Sequence, residues 1–156
     1  MLIIIIIEQR HTILNRNTLM DKFEKACRAS ERLGETNDCT VKAISIAGRV
    51  PYNVAYDACK AEGRRYRRGM YPTQWKRAIL RVGCAYIEVA KNPLQRNGSR
   101  YTVKTIGQKY PQGYYIVKVR GHALAMVNGQ VLDWTEGRKH RVQEVIKVIV
   151  PKGSRS

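Results

Sequence analysis

Two hydrophobic periods divide the chain. Over 18–33, Leu19, Phe23, Ala26, Cys27 and Leu33 recur at near-helical spacing, and Gly34 supplies a stop. After the polar stretch Glu35-Thr36-Asn37-Asp38, a second helix is predicted over 39–47, with Val41, Ile44 and Ala47 in register and Gly48 closing it. Asn37 or Asp38 suits its N-cap, because a side-chain oxygen there accepts a free first-turn N–H. Pro51 suits the opening of a third helix through Cys59 to Gly63. Thr73 is placed to cap a fourth, which carries Trp75, Ile79 and Val82 to Gly83.

From residue 84 onward the pattern is that of strands. Ala85-Tyr86-Ile87-Glu88-Val89 reads as one strand and 114–119 as another. Residues 121–127 run into Asn128-Gly129, the strongest short hairpin signal, and 130–134 form the return strand. Asn97-Gly98 and Pro111-Gln112-Gly113 are turn signals. A last strand covers 142–150, and 151–156 are expected to fray. The apolar run 1–7 is expected to be a buried strand or a segment packed on the domain. Helices followed by an antiparallel sheet make an α+β architecture: one domain over 1–150, its helical half about 18–83 packed on a sheet half about 84–150.

Composition sharpens this picture. The 156 residues, 44% of them apolar, suffice for a single hydrophobic core and exclude a wholly disordered chain. Charge is anomalous: 29 Lys and Arg against 12 acidic residues give +17. Such a field favours an anionic partner, whether nucleic acid, an anionic cell wall or membrane surface, or an acidic protein. The densest cluster holds Arg64, Arg65, Arg67 and Arg68 with tyrosines interleaved. Guanidinium forks grip phosphates and carboxylates and tyrosine stacks on bases, so these four are candidate anion or nucleic-acid contacts, with a solvated basic loop as the alternative. Arg138-Lys139-His140-Arg141 reads as a charged turn. No helix-turn-helix, RNA-recognition or zinc-finger pattern accompanies either cluster.

The four cysteines, Cys27, Cys39, Cys59 and Cys84, form no CxxC pair, and no metal site is predicted. The apolar run at 1–7 lacks a basic leader and a cleavage site, and it falls far short of the ~20 residues that span a bilayer. No transmembrane segment is expected, and reduced thiols in a cytoplasm fit best.

Of the four thiols, only Cys39 follows polar capping residues at a predicted helix start, where free N–H groups and the helix dipole stabilise a thiolate. A two-residue turn at Asn128-Gly129 pairs Leu124 with Asp133 and His122 with Thr135. His122 and Asp133 then share a ribbon face as diagonal neighbours at roughly 7–8 Å. A carboxylate there accepts the imidazole N–H and leaves the other nitrogen for the thiol. Cys39 as nucleophile, His122 as base and Asp133 as orienter are the candidate triad.

Asn37-Asp38-Cys39-Thr40 is similar to the Asp-Cys-Ser motif of NlpC-type cell-wall peptidases, and Gly121-His122 through Gln130 is similar to their Gly-His hairpin. In this order the motifs resemble the papain-like cysteine peptidase superfamily, in its compact bacterial and phage members. The resemblance implies a papain-like fold and acyl transfer through a thioester, acting on a protein or peptide-like substrate without a cofactor. It also makes a phage origin, and with it a host cytoplasm, an expectation. Val41 stands where a glycine usually follows the motif, and Leu33 where papain has its oxyanion-hole glutamine. The Cys39 N–H and the Asn37 side chain are the donors left for that hole. A transglutaminase-like acyltransferase with the same triad, and a non-enzymatic protein binding nucleic acid or a host factor, are the alternatives.

Overall fold

The computed structural model describes the backbone of residues 2–153 and the side chains of residues 16–153. Within them the helices come first: α1 (Leu2–Arg32), α2 (Cys39–Ala47), α3 (Tyr52–Ala61) and α4 (Pro72–Arg81). The strands β1 (Ala85–Lys91), β2 (Tyr114–Val119), β3 (His122–Val127), β4 (Gln130–Leu132) and β5 (Glu144–Ile149) follow, in one antiparallel sheet of order β1-β5-β2-β3-β4. The architecture is α+β. No helix among the described residues is long and apolar enough to cross a membrane.

Three expectations change. The backbone of 2–7 is helical and continuous with α1, not a strand, while the packing of those side chains lies outside the described residues. Asp38 does occupy the N-cap of α2, but its side chain caps nothing. It accepts a hydrogen bond from the Tyr52 hydroxyl at 2.6 Å and pairs with Lys42 Nζ at 3.4 Å. Tyr71, not Thr73, caps α4: Pro72 takes the first helical position, where a missing N–H costs nothing, and the Tyr71 N–H donates to Gln74 Oε1 at 2.9 Å. Of the tail, 154–156 lie outside the described residues.

The edge strand β1 is largely exposed, while the central strands β2, β3 and β5 are buried on both faces. On one, Ala123, Ala125 and Val127 of β3 meet Val41, Ile44 and Ala47 of α2, and the alanines let the helix lie close. On the other, Leu124, Met126 and Val131 join Val103, Ile106 and Val145 in a second core. Its cover includes a short 3₁₀ turn, Ile106–Gln108. A Cβ on Gly107 would collide with the carbonyl oxygen of Gly129, so a glycine is required where this cover crosses the hairpin turn. Periodicity within 92–113 is too short to announce that layer.

Candidate active site

Cys39 is the first residue of α2, so its thiol sits among N–H groups that have no intrahelical partner. Because α2 lies along β3, that helix start abuts the start of the strand. There the Cys39 thiol interacts with the His122 side chain and the backbone N–H of Ala123. His122 Nε2 lies 2.8 Å from Asp133 Oδ2. With Nε2 engaged, Nδ1 is the nitrogen left for the thiol. Asp133 is itself fixed: the same Oδ2 accepts the Thr135 N–H at 3.1 Å and the Thr135 hydroxyl at 2.6 Å.

The hairpin register is the expected one, with Ala125 opposite Leu132, Met126 opposite Val131 and Val127 opposite Gln130. Its consequence differs from the expectation. The face shared by Leu124, Met126 and Val131 belongs to the second core, away from α2. His122 and Asp133 meet Cys39 because both lie where the ladder runs out: β3 begins at His122 and β4 has stopped at Leu132. The end of the sheet, not the ribbon face, makes the site.

Burial pushes the Cys39 thiol up, but its hydrogen bonds with His122 and the Ala123 N–H, together with the His122 charge, outweigh this and bring it below the ordinary thiol value. Burial alone would lower His122. Hydrogen bonds to Asp133 and Cys39, with their negative charges, instead raise it to about 9. Both shifts favour the thiolate–imidazolium form of the pair relative to an isolated thiol and imidazole. The other thiols contrast with it. Burial raises Cys59 to about 12 and also raises Cys27, while Cys84 is buried with its sulfur toward the Gly48 carbonyl.

The triad opens onto a cleft of about 360 Å³ whose walls include Phe23, Lys42, Gly69 and Trp134. The Trp134 ring centroid lies 5.2 Å from that of His122 and shields the imidazole on one side. Among the described residues no group of three or more His, Cys, Asp or Glu could hold a metal ion.

Comparison with family models, curated proteins and solved structures finds no match to this chain.

The remaining predicted site residues separate into groups. Asn37, at a left-handed φ of 53°, lines the cleft; one of its two Nδ2 hydrogens goes to the Arg67 carbonyl at 3.1 Å, and the amide has a second to give. The first-turn N–H of Cys39 is the other donor for the oxyanion. Arg64 is buried: its side chain is 2% exposed and pairs with Glu35, so it has no face to offer a phosphate. Arg67 donates from Nε to the Gly34 carbonyl at 2.9 Å and holds the loop. Arg65 and Arg68 are exposed and remain available to an anion. Thr135 and Trp134, adjacent to Asp133, belong to no sequence pattern that marks a site. The only signal was the register itself, which sets Thr135 opposite His122.

Thr135→Val keeps the side-chain shape and removes the hydroxyl that holds Asp133, at an expected cost of about 1–3 kcal/mol in stability. It should also slow alkylation of Cys39 and lower the His122 titration midpoint read by NMR, whereas Thr135→Ser should restore both. A valine variant with an unchanged His122 midpoint would show that the hydroxyl does not set the triad.

Proposed function

We propose that this protein is a cysteine peptidase or related amide hydrolase of papain-like type, working by acyl transfer through Cys39, His122 and Asp133. The observation that carries the reading is the relay at the end of the sheet, in which a thiol on a helix start faces an imidazole held 2.8 Å from an anchored carboxylate. The Cys39 thiolate would attack a carbonyl carbon, and the oxyanion would form beside the Cys39 N–H. The His122 imidazolium would give its proton to the leaving amine as the C–N bond breaks, leaving a thioester on Cys39. Neutral His122 would then take a proton from water as it attacks the thioester, and expulsion of the Cys39 thiolate would release the acid and restore the thiolate–imidazolium pair.

Limited alkylation with iodoacetamide at neutral pH, followed by peptide mass mapping, tests this directly. Cys39 should be modified well ahead of Cys27, Cys59 and Cys84. Wild-type protein should cleave members of a peptide library, and Cys39→Ala none of them. Equal modification of the four thiols, or cleavage that survives Cys39→Ala, would refute the assignment.

A further inference from the structure

A cavity larger than the catalytic cleft, about 610 Å³, shares no lining residue with it. One wall is a stripe of α1 containing Lys22, Lys25, Ala26, Ala29 and Arg32; the other is the α2–α3 connection, with Ile46, Arg49 and Val50. Alanines at 26 and 29 leave the groove open, since neither fills space beyond its Cβ. The floor is apolar. The rim holds four cations, Lys22, Lys25, Arg32 and Arg49, and no carboxylate lines it.

These cations are not neutralised: among the described residues none of the four has an ion pair with an acidic side chain. Two of them converge. The Arg49 guanidinium stands 3.7 Å from the Tyr114 ring centroid, and Lys22 Nζ lies 5.7 Å from the same ring. Arg49 adopts a left-handed φ of 55°, a conformation that costs a non-glycine residue about 1–2 kcal/mol, and its Nε is buried without a hydrogen-bond partner. Converging like charge along a groove that no carboxylate lines favours an anionic occupant.

The spread of the charges selects its kind. Lys22 and Arg32 are ten residues apart on α1, about 15 Å along the helix axis. One phosphate or carboxylate headgroup cannot reach both ends, while a peptide with several acidic side chains can. The apolar floor between the cations adds room for hydrophobic side chains, which a nucleic-acid backbone does not supply. We propose that this groove docks an acidic amphipathic peptide segment of a partner protein, its carboxylates on the four cations and its apolar side chains over Ala26 and Ala29. The inference stands apart from the catalytic reading and gives part of the +17 charge a specific place.

The test is fluorescence anisotropy of the full chain with a labelled synthetic peptide of about 12 residues, Glu and Leu set at helical spacing. Lys25→Glu with Arg32→Glu, both at exposed positions of α1, should weaken binding by about tenfold or more. Ala29→Trp, which fills the groove and leaves every charge in place, should weaken it as well. Arg65→Glu with Arg68→Glu, the same charge change elsewhere, should leave affinity within about twofold. Equal loss in the Arg65/Arg68 variant would reduce the effect to diffuse attraction and overturn the proposal. So would equal binding of a Gln-for-Glu peptide, or displacement of the peptide by a single-stranded oligonucleotide whose own binding needs Lys25 and Arg32.

Discussion

Replacing His122 with alanine is expected to slow alkylation of Cys39 at pH 6.5 by roughly 10- to 100-fold, read as the rate of iodoacetamide incorporation. In the wild type the thiol is held below its ordinary value against its own burial, by the hydrogen bond and charge of His122 and by the Ala123 N–H. Without the imidazole, burial is left opposed mainly by that one N–H, and the thiol rises. An unassisted thiol near pKa ~8.5 is only about 1% thiolate at pH 6.5. The fall in rate is smaller than the fall in thiolate, because a more basic thiolate is also a better nucleophile. Amide hydrolysis should lose more, about 10²- to 10⁴-fold, since the proton donor to the leaving amine is gone as well.

The pH dependence follows from the same two shifts. His122 is raised from 6.5 to about 9, so its protonated form contributes stability that is complete below about 6.5 and is lost as pH rises through about 9. Cys39 is lowered, so its contribution is present above the ordinary thiol value and is lost as pH falls through the folded one. The two titrate as a pair. Hydrolysis should therefore trace a bell whose alkaline limb lies near 9, where the imidazolium loses its proton. Alkylation needs only thiolate and should show no such limb. A rate of alkylation that His122→Ala leaves unchanged would mean that the imidazole does not set the thiol.

The parts of this site that could be read from sequence are those fixed by local rules. Gly48 and the polar stretch before Cys39 bracket a helix, and Asn128-Gly129 fixes a register in which His122 lies opposite Thr135. The rest depended on three-dimensional placement. Alternation along β3 shows that Ala123 and Leu124 face opposite ways, but not which of them meets the helices. Both faces are buried, so neither carries the polar signature of an exposed side. Asp38 looks like a cap, and only the fold brings the Tyr52 hydroxyl to it from fourteen residues away. Arg64 and Arg65 are indistinguishable in sequence; the first is buried and the second exposed because Glu35 waits on an adjoining loop.

That buried pair supports the second large effect. Arg64→Met alone is expected to destabilise the protein by about 3–5 kcal/mol, read as a lowered midpoint of urea unfolding. Glu35 is fully buried at its side chain, with Oε2 lying 2.5 Å from Arg64 Nη1 and Oε1 accepting the Arg67 N–H at 2.9 Å. Removing the guanidinium leaves a carboxylate in the interior with one neutral donor. Arg64→Met combined with Glu35→Leu removes both charges and should recover much of the loss, because the desolvation of each ion disappears with it. The loops joined here also carry the Tyr66 hydroxyl, 3.0 Å from the carbonyls of both Leu33 and Gly34, and the Asn37 bond to Arg67. The first of these loops, 33–38, leads directly into Cys39, so the single substitution should slow alkylation even under conditions in which the protein stays folded. The same variant separates structure from recognition. If Arg64 gripped an external phosphate, methionine in its place would weaken nucleic-acid binding and leave the urea midpoint where it was. A buried partner of Glu35 predicts the reverse: the midpoint falls, and any salt-dependent binding follows Arg65 and Arg68 instead.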